Sequence, residues 1–424
     1  MKRQTLLVLQ LMMTVILTVS LSGCDKEKTT KTYTFYTPVY KLLPEVRNEM
    51  KSRPARALKN PGKIYINGNY IFLNEINEGI HVIDNSQPAS PKNIGFIPIP
   101  GNEDLAAQGN ILFADSYSDL VTFDISDPLN IKAINFADNA FPYRSIYYGY
   151  TGPRPNNDSV KVTVDWIRHD TTVPYNRNPG PVYYDFLSSS SYAAAQPSKS
   201  SVGMGGSMAR ITLLNNYLYT VSTNELYAFN IANPRAPKFV NKTVIANNQV
   251  IETIYPFKNK LFIGATQGMF IYDVSTPGSP VRQGQFTHAR SCDPVIADDT
   301  KAWVTLRSGT PCGNTLNQLE VVDITNLASP SLIKAYPLTN PFGLGKEGNV
   351  LFICDGKDGV KVYDATDANN LTLLKKIDGM ETYDVIAFNS RALVVAKDGL
   401  YQFDYSNVNN IRLLSKIGLN PKVE

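Results

Sequence analysis

Ile80-His-Val-Ile-Asp84 is a short apolar run that ends on a carboxylate, and the same phrase returns six more times. The other copies are Leu120-Val-Thr-Phe-Asp124, Leu226-Tyr-Ala-Phe-Asn230, Met269-Phe-Ile-Tyr-Asp273, Leu319-Glu-Val-Val-Asp323, Val360-Lys-Val-Tyr-Asp364 and Leu400-Tyr-Gln-Phe-Asp404. Their last residues are spaced 40, 106, 43, 50, 41 and 40 apart. A period near 40 residues marks stacked units, none of which can bury both its faces alone. Apolar residues fall on both faces of the repeated strand, as in Leu120, Val121 and Phe123, and a blade packed on two sides requires that. The expected fold is all-β, a seven-bladed β-propeller of four-stranded antiparallel blades, and 424 residues fit such a ring as one domain.

Outward from the first copy, turn residues cut the repeat into strands 63–67, 70–74, 79–85 and 93–99, here named A to D from the inside out. The closing Asp or Asn is followed in most copies by Ser or Ala and then Pro, as in Asp84-Asn-Ser-Gln-Pro88 and Asp273-Val-Ser-Thr-Pro277. An Asx side chain bonds the backbone two residues on, while Pro fixes φ and stops the ladder. Seven carboxylates or amides placed once per blade are therefore expected to build outer turns, with no metal or catalytic role.

This pattern resembles the LVIVD repeat of bacterial β-propellers, many of them lipoproteins, and the resemblance covers about Gly62 to Leu419. It implies a propeller and an exported scaffold, and it carries no catalytic residues to this chain.

The N-terminus agrees with export. Lys2 and Arg3 precede an apolar run from Leu6 to Leu21, and Leu21-Ser-Gly-Cys24 fits a lipoprotein cleavage site. The expected organisation is a signal peptide at 1–23, acylation of Cys24, a tether at 24–61 and the propeller at 62–424, with membrane attachment through several acyl chains. The place is the cell envelope, at the outer membrane, with its facing left open. Formal net charge is +4 and falls to +2 without Lys2 and Arg3. The basic cluster Lys51, Arg53, Arg56, Lys59 and Lys63 reads as a solvated tether, and nucleic acid is not expected as a partner. Residues 33–40 are a candidate outer strand that would latch the ring.

The irregular spacings point to one decorated face. An insertion at about 142–207 follows strand D of blade 2, and the B-to-C turn of blade 5 has grown into Arg307–Gln318. In an antiparallel meander, B-to-C turns and D-to-A connections share one end. Within the insertion, Val160 to Ile167 alternates like a strand. Tyr143, Tyr147, Tyr148, Tyr150, Trp166, Tyr183 and Tyr184, with Arg307, suit a recognition surface for an envelope protein or glycan, since Tyr and Trp give rigid contact area at small entropic cost. Packing of the loop onto the ring explains the same residues equally well.

Catalytic signals are sparse. The histidines His81, His169 and His288 form no zinc-binding pair, and no nucleophile elbow or phosphate loop is present. The rival to a binding scaffold is an envelope hydrolase or lyase with its pocket at the channel mouth under the insertion, and His288, Arg290, Asp293 and Asp355 are its first candidates. No cofactor is expected. Glu75, Asp115 and Asp355 end their B strands equivalently and offer a weak calcium alternative. Cys292 and Cys312 both belong to blade 5 and are expected to form a disulfide worth roughly 3 kcal/mol, with a three-cysteine metal site as the alternative. Cys354 reads as a buried apolar residue.

Overall fold

The computed structural model describes residues 30–141, 159–174, 204–245, 250–288, 294–309 and 316–419. Contacts divide the chain into two units, residues 1–39 with 165–189 and residues 40–164 with 190–424. The larger unit is the propeller, with seven antiparallel sheets as the repeat requires.

Blade 1 comprises Pro61–Asn67, Tyr70–Glu75, Gly79–Asp84 and Lys92–Pro98. The next six blades open at Leu105–Gln108, Ile211–Leu214, Ile251–Phe257, Val295–Ala297, Leu344–Glu347 and Thr382–Phe388. They close at Lys132–Ala137, Lys238–Val244, Val281–Thr287, Ser331–Pro337, Thr372–Ile377 and Arg412–Gly418. Strands B and C are buried on both faces, as at Ile71, Phe72 and Leu73, whereas strands D form the wetter rim.

The outer turn is the same in every blade. A β-bulge interrupts the C-to-D ladder two residues before the closing Asx, as at Val82/Ile83, Thr122/Phe123 and Gln402/Phe403. The Asx Oδ1 then accepts the backbone N–H two residues on, at 2.7 to 3.0 Å in all seven copies. The intervening N–H donates to the A-to-B turn of its own blade, as Ile125 does to Asn110. A bulge bends and twists the strand, and the Asx bond fixes where it reverses, so these residues are structural as their placement predicts.

No strand is exchanged between blades 1 and 7. The seam is closed by apolar packing of Ile64, Ile66, Ile71 and Leu73 against Ile386, Leu393, Val395 and Leu400, with a single parallel bridge from Leu58 to Leu419. The expected latch at 33–40 is not there: those residues belong to Thr30–Leu42, which pairs with Lys161–Pro174. The alternating run at 160–167 does supply a strand, and its partner is this N-terminal one.

Residues 43–61 also depart from the tether reading. Leu43–Glu49 is a helix opened by Pro44, with Leu43 and Val46 buried. Met50 is buried with them, Ser52 donates to Ile131 carbonyl at 2.8 Å, and Arg53 bridges Phe96. Four of the five basic residues are paired: Arg53 with Glu49, Arg56 and Lys59 with Glu78, and Lys63 with Asp104. Four apolar side chains, Leu43, Val46, Met50 and Leu58, outweigh the charge that made the stretch look solvated.

Candidate functional site

The channel at the middle of a propeller is lined by its A strands, so the residue entering each A strand decides what the mouth of the channel offers. Aligned on their first shared apolar position, the seven entries are Lys63, Asp104, Arg210, Thr253, Pro294, Gly343 and Asp384. Blade 1 lies between blades 2 and 7, so Lys63 stands between two carboxylates.

Lys63 Nζ is 2.9 Å from Asp104 Oδ2, with both side chains almost fully buried. Asp104 also accepts the backbone N–H groups of Leu105 at 2.8 Å, Arg210 at 2.5 Å and Ile211 at 3.0 Å. Such saturation makes a buried ion pair tolerable, because desolvating the charges would otherwise exceed their attraction. Asp384 is less well served: Oδ1 accepts Val385 N–H at 2.9 Å, and Oδ2 is buried without a hydrogen-bond partner. Burial pushes its pKa from 3.8 up to about 8, and nearby Asp104 adds to the rise. The shift favours the protonated, neutral carboxyl.

The mouth is stoppered by the chain itself. Met204–Gly205 adds a fifth strand inside blade 1, with Met204 opposite Ile66 and Gly205 opposite Tyr65. Ser207 Oγ accepts Leu344 N–H of blade 6 at 2.8 Å. Met208 packs among Phe342, Phe352 and Val385, and Ala209 carbonyl accepts Ile254 N–H of blade 4 at 2.7 Å. Residues 204–209 are buried throughout. Gly206 and Gly343 flank Asp384, and a Cβ on either would fall less than 3.0 Å from its carboxylate oxygens. Glycine is therefore required at both places by close approach.

The three B-strand carboxylates have one shared job. Glu75 accepts Lys59 and Asn60 N–H groups and His81 Nε2 at 2.7 Å. Asp115 Oδ1 accepts Glu103 and Asp104 N–H groups, both at 2.9 Å. Asp355 accepts Thr339 and Asn340 N–H groups at 3.0 and 2.7 Å and pairs with Lys361 at 2.5 Å. Each carboxylate clamps the chain entering its own blade.

Five of the remaining sequence candidates lie among the described residues. His288 is half-buried beside Phe286, ring centroids 6.3 Å apart, and Asp355 is spent on its clamp. Arg307 lies over the Phe342 ring at 4.1 Å, at the start of the enlarged turn. Trp166 is exposed on the strand Lys161–Pro174. Cys354 is free and fully buried, and burial pushes its thiol pKa well up, as an apolar filler requires. Cys24, Tyr143, Tyr147, Tyr148, Tyr150, Tyr183, Tyr184, Arg290, Asp293, Cys292 and Cys312 lie outside the described residues. Sequence reasoning missed Lys63, Asp104, Asp384 and the stopper. The signal was present in the A strands: Asp104-Leu-Ala-Ala and Asp384-Val-Ile-Ala put an acid at the head of an apolar run.

No curated protein matches this sequence. Among solved structures, a protein from Lactobacillus plantarum aligns with a TM-score of 0.52 and 11% identity, over 85% of this chain and 97% of that one. The periplasmic gluconolactonase PpgL of Pseudomonas aeruginosa aligns with a TM-score of 0.53 and 11% identity, over 85% and 96%. At such identity these likenesses show the fold alone. The family model described as the LVIVD repeat matches residues 61–96 and 313–337. With a strand of that kind recurring once in each of its blades, the chain is a seven-bladed β-propeller that carries LVIVD repeats.

Proposed function

We infer that this propeller is a lipid-anchored binding scaffold of the bacterial cell envelope, working through the face that carries its B-to-C turns and D-to-A connections. The observation that carries the reading is the stopper. A propeller enzyme needs a concave site with free polar groups, and here residues 204–209 fill the channel mouth while Asp355 is saturated by backbone amides and Lys361. That face carries the two long connections of the ring, from Ala137 to Ile211 and from Leu306 to Gln318. The expected partner is an envelope protein.

Mild crosslinking in cells, followed by purification, tests this with the intact protein and a variant whose residues 175–203 are replaced by a Gly-Ser linker. Strand 161–174 and the stopper stay in place, so the ring is kept. A partner captured by the intact chain and lost from the variant supports the scaffold. Equal capture by both, or a turnover abolished by His288→Ala or Arg290→Ala, replaces it with an enzyme or a different surface. Anchoring is checked separately: incorporation of a labelled fatty acid is expected, and Cys24→Ala is expected to abolish it.

A further inference from the structure

The smaller unit contains a ribbon that the propeller does not account for. Its strands come from Thr30–Leu42 and Lys161–Pro174, which among the described residues pair only with each other. At 13 and 14 residues they are about twice as long as any blade strand. Thr32 bonds Thr172 at 2.9 Å, Thr34 bonds Asp170 at 2.5 Å, and Phe35 stacks on His169 at 5.0 Å. In each pair the residue numbers sum to 204, so the strands run antiparallel in one register.

Two strands cannot bury a face against themselves, and an isolated ribbon of this kind is marginal in water. This one nevertheless exposes Phe35 (47%), Tyr36 (49%), Trp166 (39%) and Ile167 (51%). Neighbours on a strand point to opposite faces, so each face carries two of these exposed apolar side chains. Its charged residues are Lys31, Lys41, Lys161 and Arg168 against Asp165 and Asp170, a net charge of +2, and Arg168 pairs with Asp170 at 3.1 Å.

Where the ribbon begins says what covers it. Only five residues lie between Cys24 and Thr30, a reach of about 20 Å at full extension. We propose that the ribbon is a second membrane contact, seated in the lipid headgroup layer by Phe35, Tyr36, Trp166 and Ile167. The inference rests on the lipid-anchored reading above. Tyr and Trp favour this layer, with an apolar body on the lipid side and a polar tip in water. Water in the same layer satisfies the ribbon's two open backbone edges, which the hydrocarbon core would not.

The chain has two tryptophans, and Trp303 is fully buried in blade 5, so Trp166 is a built-in reporter. The mature chain with Cys24→Ser and an N-terminal His tag is tethered to vesicles of phosphatidylethanolamine and phosphatidylglycerol doped with a nickel-chelating lipid. Brominated acyl chains serve as the quencher. The tag supplies the anchor, so a failure of native acylation leaves this experiment intact, and fatty-acid labelling reports that failure alone.

The expected result is a blue shift and quenching of roughly half the emission. Both should vanish in Trp166→Phe and survive about 0.5 M salt, where screening leaves only a few ångströms of electrostatic reach. The variant Phe35→Ser/Tyr36→Ser/Ile167→Ser should lose the quenching, with its melting midpoint within a degree or two of the parent. Absence of quenching in the tethered parent overturns the proposal, as does equal quenching in the ribbon variant. A blue shift that appears without vesicles and grows with protein concentration also overturns it, in favour of ribbon-to-ribbon association.

Discussion

The rim and the hub of this propeller are built on opposite principles. At the rim, the closing Asx of strand C accepts the amide two residues on in all seven blades, behind a bulge at the same place. At the hub, no two neighbouring blades offer the same residue, and Lys63, Asp104 and Asp384 are joined by a stopper found in one place only. Repetition at the rim sets the shape of a blade, and any one copy is a small part of the whole. Singular features at the hub are held by single bonds across the ring, so removing one has no substitute.

Breaking the hub should therefore cost far more than breaking the rim. Lys63→Met leaves Asp104 buried without its counter-charge, with an expected loss of about 3–5 kcal/mol, read from the denaturation midpoint. If the loss falls below that of a rim substitution, the contrast fails. Gly206→Val drives a side chain into Asp384, and overpacking of this kind costs about 1–3 kcal/mol. The same unfolding experiment should show it, with Gly343→Val giving a comparable result.

Asp384 sharpens the contrast through pH. Its folded pKa of about 8 lies above the ordinary 3.8, so between these values the folded chain holds a proton that the unfolded chain has released. Stability contributed by this group is full below the ordinary value, falls as pH rises toward 8 and then levels. Asp384→Asn should remove that slope, leaving the variant nearest to the parent in melting temperature below pH 4 and progressively above it as pH rises to 9.

The rim gives the smallest effects. Asn230→Ala deletes the neutral Asx bond to Ala232 and a long one at 3.4 Å to the Tyr217 hydroxyl and should cost about 1 kcal/mol, the scale of a lost helix cap. The effect should add to that of a second rim substitution several blades away. The rim carboxylates run opposite to Asp384 in pH: Asp124, Asp273 and Asp404 are lowered to about 2, chiefly by Ser126 hydroxyl, Lys260 and Ser406 N–H respectively. Their contribution is present above the ordinary 3.8 and is lost as pH falls toward 2. An acid titration of the melting point should show that loss and no counterpart in the neutral range.

The rim was legible in the sequence for the same reason that it is weakly sensitive: its chemistry is local and repeated. Asp84 needs only Ser86, two residues on, and seven copies raise that pattern above chance. The hub was not legible because its partners are far apart in sequence. Nothing near Gly206 announces Asp384, and Ser207 meets Leu344 only once the ring exists. Residues 43–61 misled for a related reason, since Arg53, Arg56 and Lys59 look solvated until Glu49 and Glu78 are brought beside them. The clamps at Glu75, Asp115 and Asp355 were seen as equivalent, but their role needed the amides that each one holds.

The bond from Leu344 N–H to Ser207 Oγ joins residues 137 apart, and that distance has a meaning for how the chain assembles. Contacts of large sequence separation are entropically late, because the intervening loop must be closed before they reward it. Blades 1 and 2 leave the ribosome before the stopper, but its seats on blades 4, 6 and 7 follow it. Met204–Ala209 must wait, apolar side chains uncovered, until more than half of the propeller has been made. Docking of the stopper is then the step that turns a row of blades into one cooperative body, since it ties blade 1 to blades 4 and 6, which are not its neighbours.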